Sequence, residues 1–163
     1  MYSIRRIDYK SSDTEQIRDY FNKALSAGRF ALFPRKKPIT QEEIDSRWGD
    51  RDDRESLVAV DRKVVAAATL RYKDGTARLN ITKDPDYDIK GVGTDLTKEA
   101  IRLALDKGYE VIVQTSVHNK AMIRIMEKLG YRYKRLIRDF EDYRYRIDAP
   151  DYDIYEWRIR EFY

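Results

Sequence analysis

The chain has 163 residues, no cysteine, a single histidine, 38% charged residues and a formal charge of +4, a length that suits one domain over residues 1–163 with one core. Without cysteine there are no disulfides, no thiolate metal ligands and no acyl-cysteine intermediate, and a lone histidine makes a His-based zinc or iron site improbable, so metal-free chemistry is expected. No apolar run approaches the roughly 20 residues that span a bilayer, and "MYSIRRIDYK" lacks the apolar core of a secretory signal, so the expectation is a cytoplasmic protein with no membrane partner.

Asn and Gln together number six, against 33 Lys and Arg and 29 Asp and Glu, a bias found in heat-adapted proteins with surface ion-pair networks, and a thermophilic source is expected. The basic balance suits phosphate-bearing ligands. Acidic and basic residues are interleaved and no five-residue basic block occurs, so direct nucleic-acid binding is not expected.

In chain order, residues 2–8 alternate as a first strand. "SSDTEQIRDYFNKALSAG" then reads as a helix capped by Asp13 or Thr14, striped by Ile17, Tyr20, Phe21, Ala24 and Leu25, and closed by Gly28. "ALFPRKKPIT" holds two prolines and reads as loop. Thr40 with Glu43 forms a capping box for a short helix through Trp48, and "GDRDDR" is a charged turn. "SLVAVDRK" and "VVAAATLRYK" are strands joined through Asp61 to Lys63, and "DGT" at 74–76 turns the second into "ARLNITK". From Thr94 the spacing of Leu96, Ala100, Ile101, Leu103, Ala104 and Leu105 predicts a helix ended by Gly108. "YEVIVQTSV" then reads as a strand buried on both faces, and Met122, Ile125, Met126 and Leu129 stripe a helix closed by Gly130. The aromatic tail is a hairpin divided at "DAPD". The order β, α, α, β, β, β, α, β, α, β, β is that of an α+β sheet with a mixed centre.

"DIKGVGT" places glycines where a strand's end feeds a helix. Such a turn aims backbone N–H groups outward at the positive end of the helix dipole, a geometry that favours a phosphate. Gly91 and Gly93 let the backbone approach a ligand with no Cβ in the way, and Lys90 adds a cation; alternatively the glycines shape a tight turn and nothing more. Spacing removes two phosphate motifs. The Walker pattern is absent, and a dinucleotide fingerprint needs a glycine at Leu96 and an acid at the end of the next strand, which here ends "QTSV".

The segment "ITKDPDYDIKGVGTDLTKEAIRLALDKGY…SVHNKAMIRIMEKLGY" resembles the acetyl-CoA core of the GNAT superfamily of N-acetyltransferases. With the preceding meander the resemblance extends over most of the chain. It implies a mixed, mostly antiparallel, splayed sheet of about seven strands with about four helices, and acetyl-CoA as cosubstrate. By position it implies that Ile81, Thr82 and Lys83 pair with the pantetheine arm, that Ile89, Lys90, Gly91, Val92, Gly93 and Thr94 hold the pyrophosphate, and that Asn119 contacts pantetheine. A splayed strand's unpaired amides need partners, and an amide-rich arm supplies them as another strand would. "FPRKKPITQEEIDSRWGDRDDRESLVAVDRK" is similar to the matching segment of Pat-type protein lysine acetyltransferases. That similarity implies a protein lysine as acceptor, with Glu42, Glu43 and Asp53 drawing a basic protein partner; an ordinary solvated helix face accounts for them equally well.

The chain departs from the family pattern at four places. Asp88 stands first in the turn, where Arg or Gln is usual, and either points to solvent or is neutralised by Lys90. The positions of the family's carboxylates hold Arg78 and Gln114, and its thiolate-protonating tyrosine aligns with Met126. A protonated amine needs a route for its proton. The remaining candidates are Tyr72, as proton relay or donor, and His118, as the one imidazole in the chain; a sheet tyrosine and a solvent-facing or helix-capping histidine are the plainer alternatives. Arg124 and Lys128, one turn apart, suit either the 3′-phosphate of CoA or surface ion pairs. Acetylation of a small amine or peptide N-terminus, and an acyl-CoA-binding module without turnover, are the competing functions.

Overall fold

The structure is a computed structural model, described for residues 1–26, 37–138 and 153–161. Its elements are β1 (Ser3–Arg6), α1 (Asp13–Ser26), α2 (Gln41–Trp48), β2 (Arg54–Asp61), β3 (Lys63–Lys73), β4 (Thr76–Lys83), α3 (Val92–Asp106), β5 (Glu110–Ser116), α4 (Lys120–Lys128), β6 (Arg135–Ile137) and β7 (Ile154–Ile159). The order is the one expected from the sequence. Seven strands form one sheet in the order β1-β2-β3-β4-β5-β7-β6, antiparallel except for the parallel pair β4 and β5.

Local chemistry sets the boundaries. Thr40 and Glu43 form both halves of a capping box on α2. Asp74 and Gly75, both at positive φ, make the tight turn between β3 and β4. Gly108 and Gly130, also at positive φ, follow α3 and α4 as expected. Boundaries differ from expectation by a residue or two at several elements: α3 begins at Val92 rather than Thr94, β2 runs Arg54–Asp61 rather than 56–63, and β1 is shorter than residues 2–8. Asp13, the first residue of α1, turns its buried carboxylate to the Arg5 guanidinium (2.6 and 3.0 Å) and the Asp8 N–H (2.9 Å), tying the helix to β1. Gly28 and the "DAPD" turn lie outside the described residues, but β6 and β7 pair antiparallel, as the tail hairpin requires.

The two sheet faces carry separate cores. On one, Leu79, Val111, Val113 and Trp157 pack against Leu96, Ala100, Ile101 and Ala104 of α3 and Met122 and Met126 of α4. On the other, Val58, Val64 and Ala67 meet Ile17 and Tyr20 of α1 and Ile44 and Trp48 of α2. Met126, aligned with the family's proton-donating tyrosine, is fully buried in the first core.

Candidate active site

Strand β4 lives in two environments. Thr76 to Leu79 pair with Glu110 to Val113 of β5, and there the parallel register ends. Beyond it, β4 stays paired with β3 through Lys83↔Ala66, while β5 continues paired with β7 through Ser116↔Ile154. The two central strands part after Leu79 and Val113.

Which groups face the gap follows from the ladder's alternation. Asp84, opposite Val65, donates its N–H to the Val65 carbonyl (2.7 Å). Residues 82 and 80 therefore also bond inward to β3, and the N–H and C=O of Ile81 and Lys83 point away from it, into the gap. The Ile81 side chain packs toward α3, while Thr82 faces α1 beside the Tyr20 hydroxyl. Of the three residues implied to line the pantetheine arm, Ile81 and Lys83 offer it backbone; Thr82 does not.

The turn after β4 leads to the N-terminus of α3. Gly91 caps the helix at φ 97 with no side-chain cap bond, a left-handed conformation that disfavours any residue with a Cβ. The first helical bond runs from Asp95 N–H to the Gly91 carbonyl (2.9 Å), so the N–H groups of Val92, Gly93 and Thr94 have no carbonyl one turn back. Together with the dipole they form an anion cradle. Gly93 also has a packing role: a Cβ there would lie 2.9 Å from Ile125 Cδ1 of α4, so the missing side chain eases the contact between the two helices. Ile89, Lys90 and Asp88 are all exposed, and the Asp88 carboxylate stands in water, where its repulsion of a phosphate is screened.

Three contacts fasten this turn. Asp84, 2% exposed, meets Lys23 of α1 (2.8 Å), Lys63 of β3 (3.5 Å) and the Asp86 N–H (2.9 Å). Burial alone would raise its pKa; these partners outweigh that and hold the carboxyl below its usual range. The Tyr87 hydroxyl donates to Asp61 (2.9 Å), and its ring meets the edge of Tyr2. Tyr2 in turn donates to Asp95 in the first turn of α3 (2.5 Å).

The β5 limb carries Asn119 and His118. Asn119 caps α4, accepting the Met122 N–H (3.2 Å) while its amide donates to Thr115 Oγ1 (2.8 Å). One amide hydrogen remains for a ligand. His118 is exposed beside it. Gln114, the first β5 residue past the parting, donates to Glu156 Oε2 across the β5–β7 ladder (2.7 Å). Sequence reasoning missed Glu156. It is 4% exposed and also accepts from Arg135 (3.2 Å) and Arg158 (3.0 Å). Burial raises its pKa, but Gln114, Arg158 and Arg135 prevail and keep it low, making it a fixed charge rather than a proton acceptor.

Other expected site residues lie elsewhere. Tyr72 pairs with Ala77 at the closed end of β4, four residues, or about 13 Å, from the β3 partner of Ile81. Its hydroxyl donates to Glu55 (2.5 Å), which also holds Lys107 and Arg6, and its ring lies 4.4 Å from that of Tyr109. Burial and the Glu55 carboxylate both raise its pKa. It belongs to a brace at the end of the sheet. Glu42 and Glu43 stand at the first turn of α2, Glu43 bonded into the cap, whereas Asp53 lies beyond the other end of that helix. Arg124 and Lys128 are exposed on α4. Among the described residues no group of three or more His, Cys, Asp or Glu could hold a metal, and no helix is long and apolar enough to cross a membrane.

A sheet parted at its parallel pair, with a helix N-terminus at the mouth of the opening, defines an acyl-CoA-dependent transferase architecture. The sequence model of the acetyltransferase (GNAT) family matches residues 14–131, and the chain belongs to that family and is an N-acetyltransferase. The fold is shared with an N-acetyltransferase from Staphylococcus aureus Mu50 (TM-score 0.77, 20% identity, 98% of each chain covered). It is also that of the ribosomal-protein-S18-alanine N-acetyltransferase of Escherichia coli (TM-score 0.70, 19% identity, 98% of this chain and 93% of that one). A putative acetyltransferase from Salmonella typhimurium, solved with acetyl-CoA, is similar as well (TM-score 0.72, 18% identity, 97% and 92% covered). A search of curated proteins finds no match.

The family's cosubstrate fits this chain on its own geometry. The outward backbone of Ile81 and Lys83 suits an amide-bearing arm, the free N–H groups at the start of α3 suit a pyrophosphate, and Gly91 keeps the approach clear.

Proposed function

We propose that this chain transfers an acetyl group from acetyl-CoA directly to an acceptor amine, the ε-amino group of a protein lysine. The parting of β4 from β5 after Leu79 carries the reading, because it exposes strand backbone at the same end of the sheet as an unsatisfied helix N-terminus. The similarity of residues 33–63 to Pat-type enzymes supports a protein lysine.

When bound, acetyl-CoA supplies an activated acyl group, whose C–S bond breaks as the C–N bond forms. The chain's residues do the rest by placement. Ile81 and Lys83 hold the arm in register, and an outward N–H of β4 polarises the reacting carbonyl. Val92, Gly93 and Thr94 anchor the distal anion. With Arg78 and Gln114 where carboxylates are usual and Met126 buried, proton exchange with the amine and the departing thiolate runs through water, and the rate rests on orientation.

The deciding measurement is calorimetric titration with CoA, followed by incubation with labelled acetyl-CoA and a lysate of the source organism. One saturable CoA site and label on protein lysines are expected. Absence of CoA binding sinks the reading. CoA binding without transfer to any acceptor assigns the chain instead to a sensing role, which the replacements at Arg78, Gln114 and Met126 would explain.

A further inference from the structure

The sheet face covered by α1 and α2 is apolar where Val58, Val64 and Ala67 lie, but changes character toward the closed end of β4. There Arg54, Arg71 and Arg78 stand directly opposite one another across β2, β3 and β4. Beside them, one pleat nearer the parting, runs a second polar row of Ser56, Thr69 and Asn80, with Ser56 donating to Thr69 (3.1 Å). Three guanidinium-bearing side chains thus span about 10 Å, two interstrand spacings, and Arg78 lies about 7 Å along β4 from Asn80, the first residue past the parting.

Like charges placed directly opposite in a ladder repel, and among the described residues only Arg54 has partners that offset this. Arg54 donates to the Ser46 carbonyl at the end of α2 (2.6 Å) and has Asp53 nearby, yet burial and the neighbouring arginines 51 and 71 depress its pKa. Arg71 and Arg78 are exposed and have no ion pair among the described residues. The arginines on the adjoining strand β7 side are different: Arg135 and Arg158 are neutralised by Glu156 and Glu110. A guanidinium presents a planar fork that matches a carboxylate. A row of them ending two residues along β4 from Asn80, where the strands part, matches several carboxylates spaced along an extended peptide, a length that a single free amino acid cannot span.

We propose that Arg71 and Arg78, extended by Arg54, form an acceptor subsite for an acidic peptide segment, so that the acetylated lysine is one flanked by Asp or Glu. This rests on the transferase reading above and names its acceptor class; it replaces the basic partner suggested by Glu42, Glu43 and Asp53.

The test uses three peptides of equal length with a central lysine flanked by Asp/Glu, by Ser/Gly or by Lys/Arg, assayed by CoA release. The acidic peptide is expected to exceed the basic one by at least about tenfold in kcat/KM at low salt, an advantage that shrinks as salt rises. The double variant R71Q/R78Q is expected to bring the ratio close to one by raising KM for the acidic peptide, with CoA affinity unchanged. Fluorescence anisotropy of the same peptides on CoA-saturated protein reads the preference without turnover. Acidic-peptide binding that depends on Arg71 and Arg78 but yields no transfer refutes the transferase reading and upholds the subsite. An equal or better basic or neutral peptide, a preference that survives R71Q/R78Q, or faster acetylation of free glutamate than of any peptide overturns the subsite.

Discussion

The two halves of β4 differ less in sequence than in company. Thr76 to Leu79 and Asn80 to Lys83 both alternate as a strand and both pair with β3, yet the first half also has β5 for a neighbour and the second has a gap. At the closed half, side chains brace one another: Tyr72, Glu55, Lys107 and Tyr109 hold the end of the sheet together. At the open half the backbone is left available, and side chains beyond it fasten the turn that leads into α3. One strand therefore provides rigidity and recognition by the same hydrogen-bonding groups, with or without a protein partner.

Substitutions at the two ends should separate these roles. The largest effect is expected for Gly91→Val, because φ 97 is hostile to a β-branched residue and a Cβ there already lies 3.4 Å from the Tyr2 hydroxyl; strain of about 1–3 kcal/mol should displace the N–H cradle. Calorimetry should show CoA affinity down by at least about tenfold, and affinity within twofold of the parent would refute the cradle. Next is Asp84→Asn, expected to cost about 2 kcal/mol in urea unfolding at pH 7, since two lysines lose a buried partner that is only partly shielded by their own exposure. The sign with pH follows from the depressed pKa. The contribution is present above the ordinary carboxylate range and is lost as pH falls below about 4, so parent and variant should converge in acid; a gap that persists there would place the effect outside ionisation. The smallest effect is expected for Tyr72→Phe at the closed end: roughly 1 kcal/mol of stability from the lost bond to Glu55 and kcat within about twofold of the parent. A fall of a hundredfold would return Tyr72 to the chemistry.

The sequence was legible where local patterns decide structure. The helix stripes, the Thr40 and Glu43 capping box, the Asp74-Gly75 turn and the glycines after α3 and α4 placed all eleven elements in order. Where β4 and β5 part was not readable from periodicity, because both runs remain strand-like past Leu79 and Val113; only the resemblance pointed to a splay. Asp84 looks like any loop acid in "TKDPDYD" until Lys23 and Lys63, from distant parts of the chain, converge on it. Glu156 is hidden for a similar reason: its neighbour Gln114 is 42 residues away. Tyr72 was misplaced because proximity to the arm strand says nothing about which end of that strand is open. The arginine row is visible only once the register aligns positions 54, 71 and 78.

Gly93 bears on how the site moves. Because Ile125 fills the space a side chain would take, α3 and α4 lie in direct contact beside the opening, and α4 is capped by Asn119 on the other limb. The start of α3 and the loop after β5 are thereby linked through one helix–helix contact. Widening the opening would require prying this contact apart, so the packing of α3 on α4 resists a change in its width.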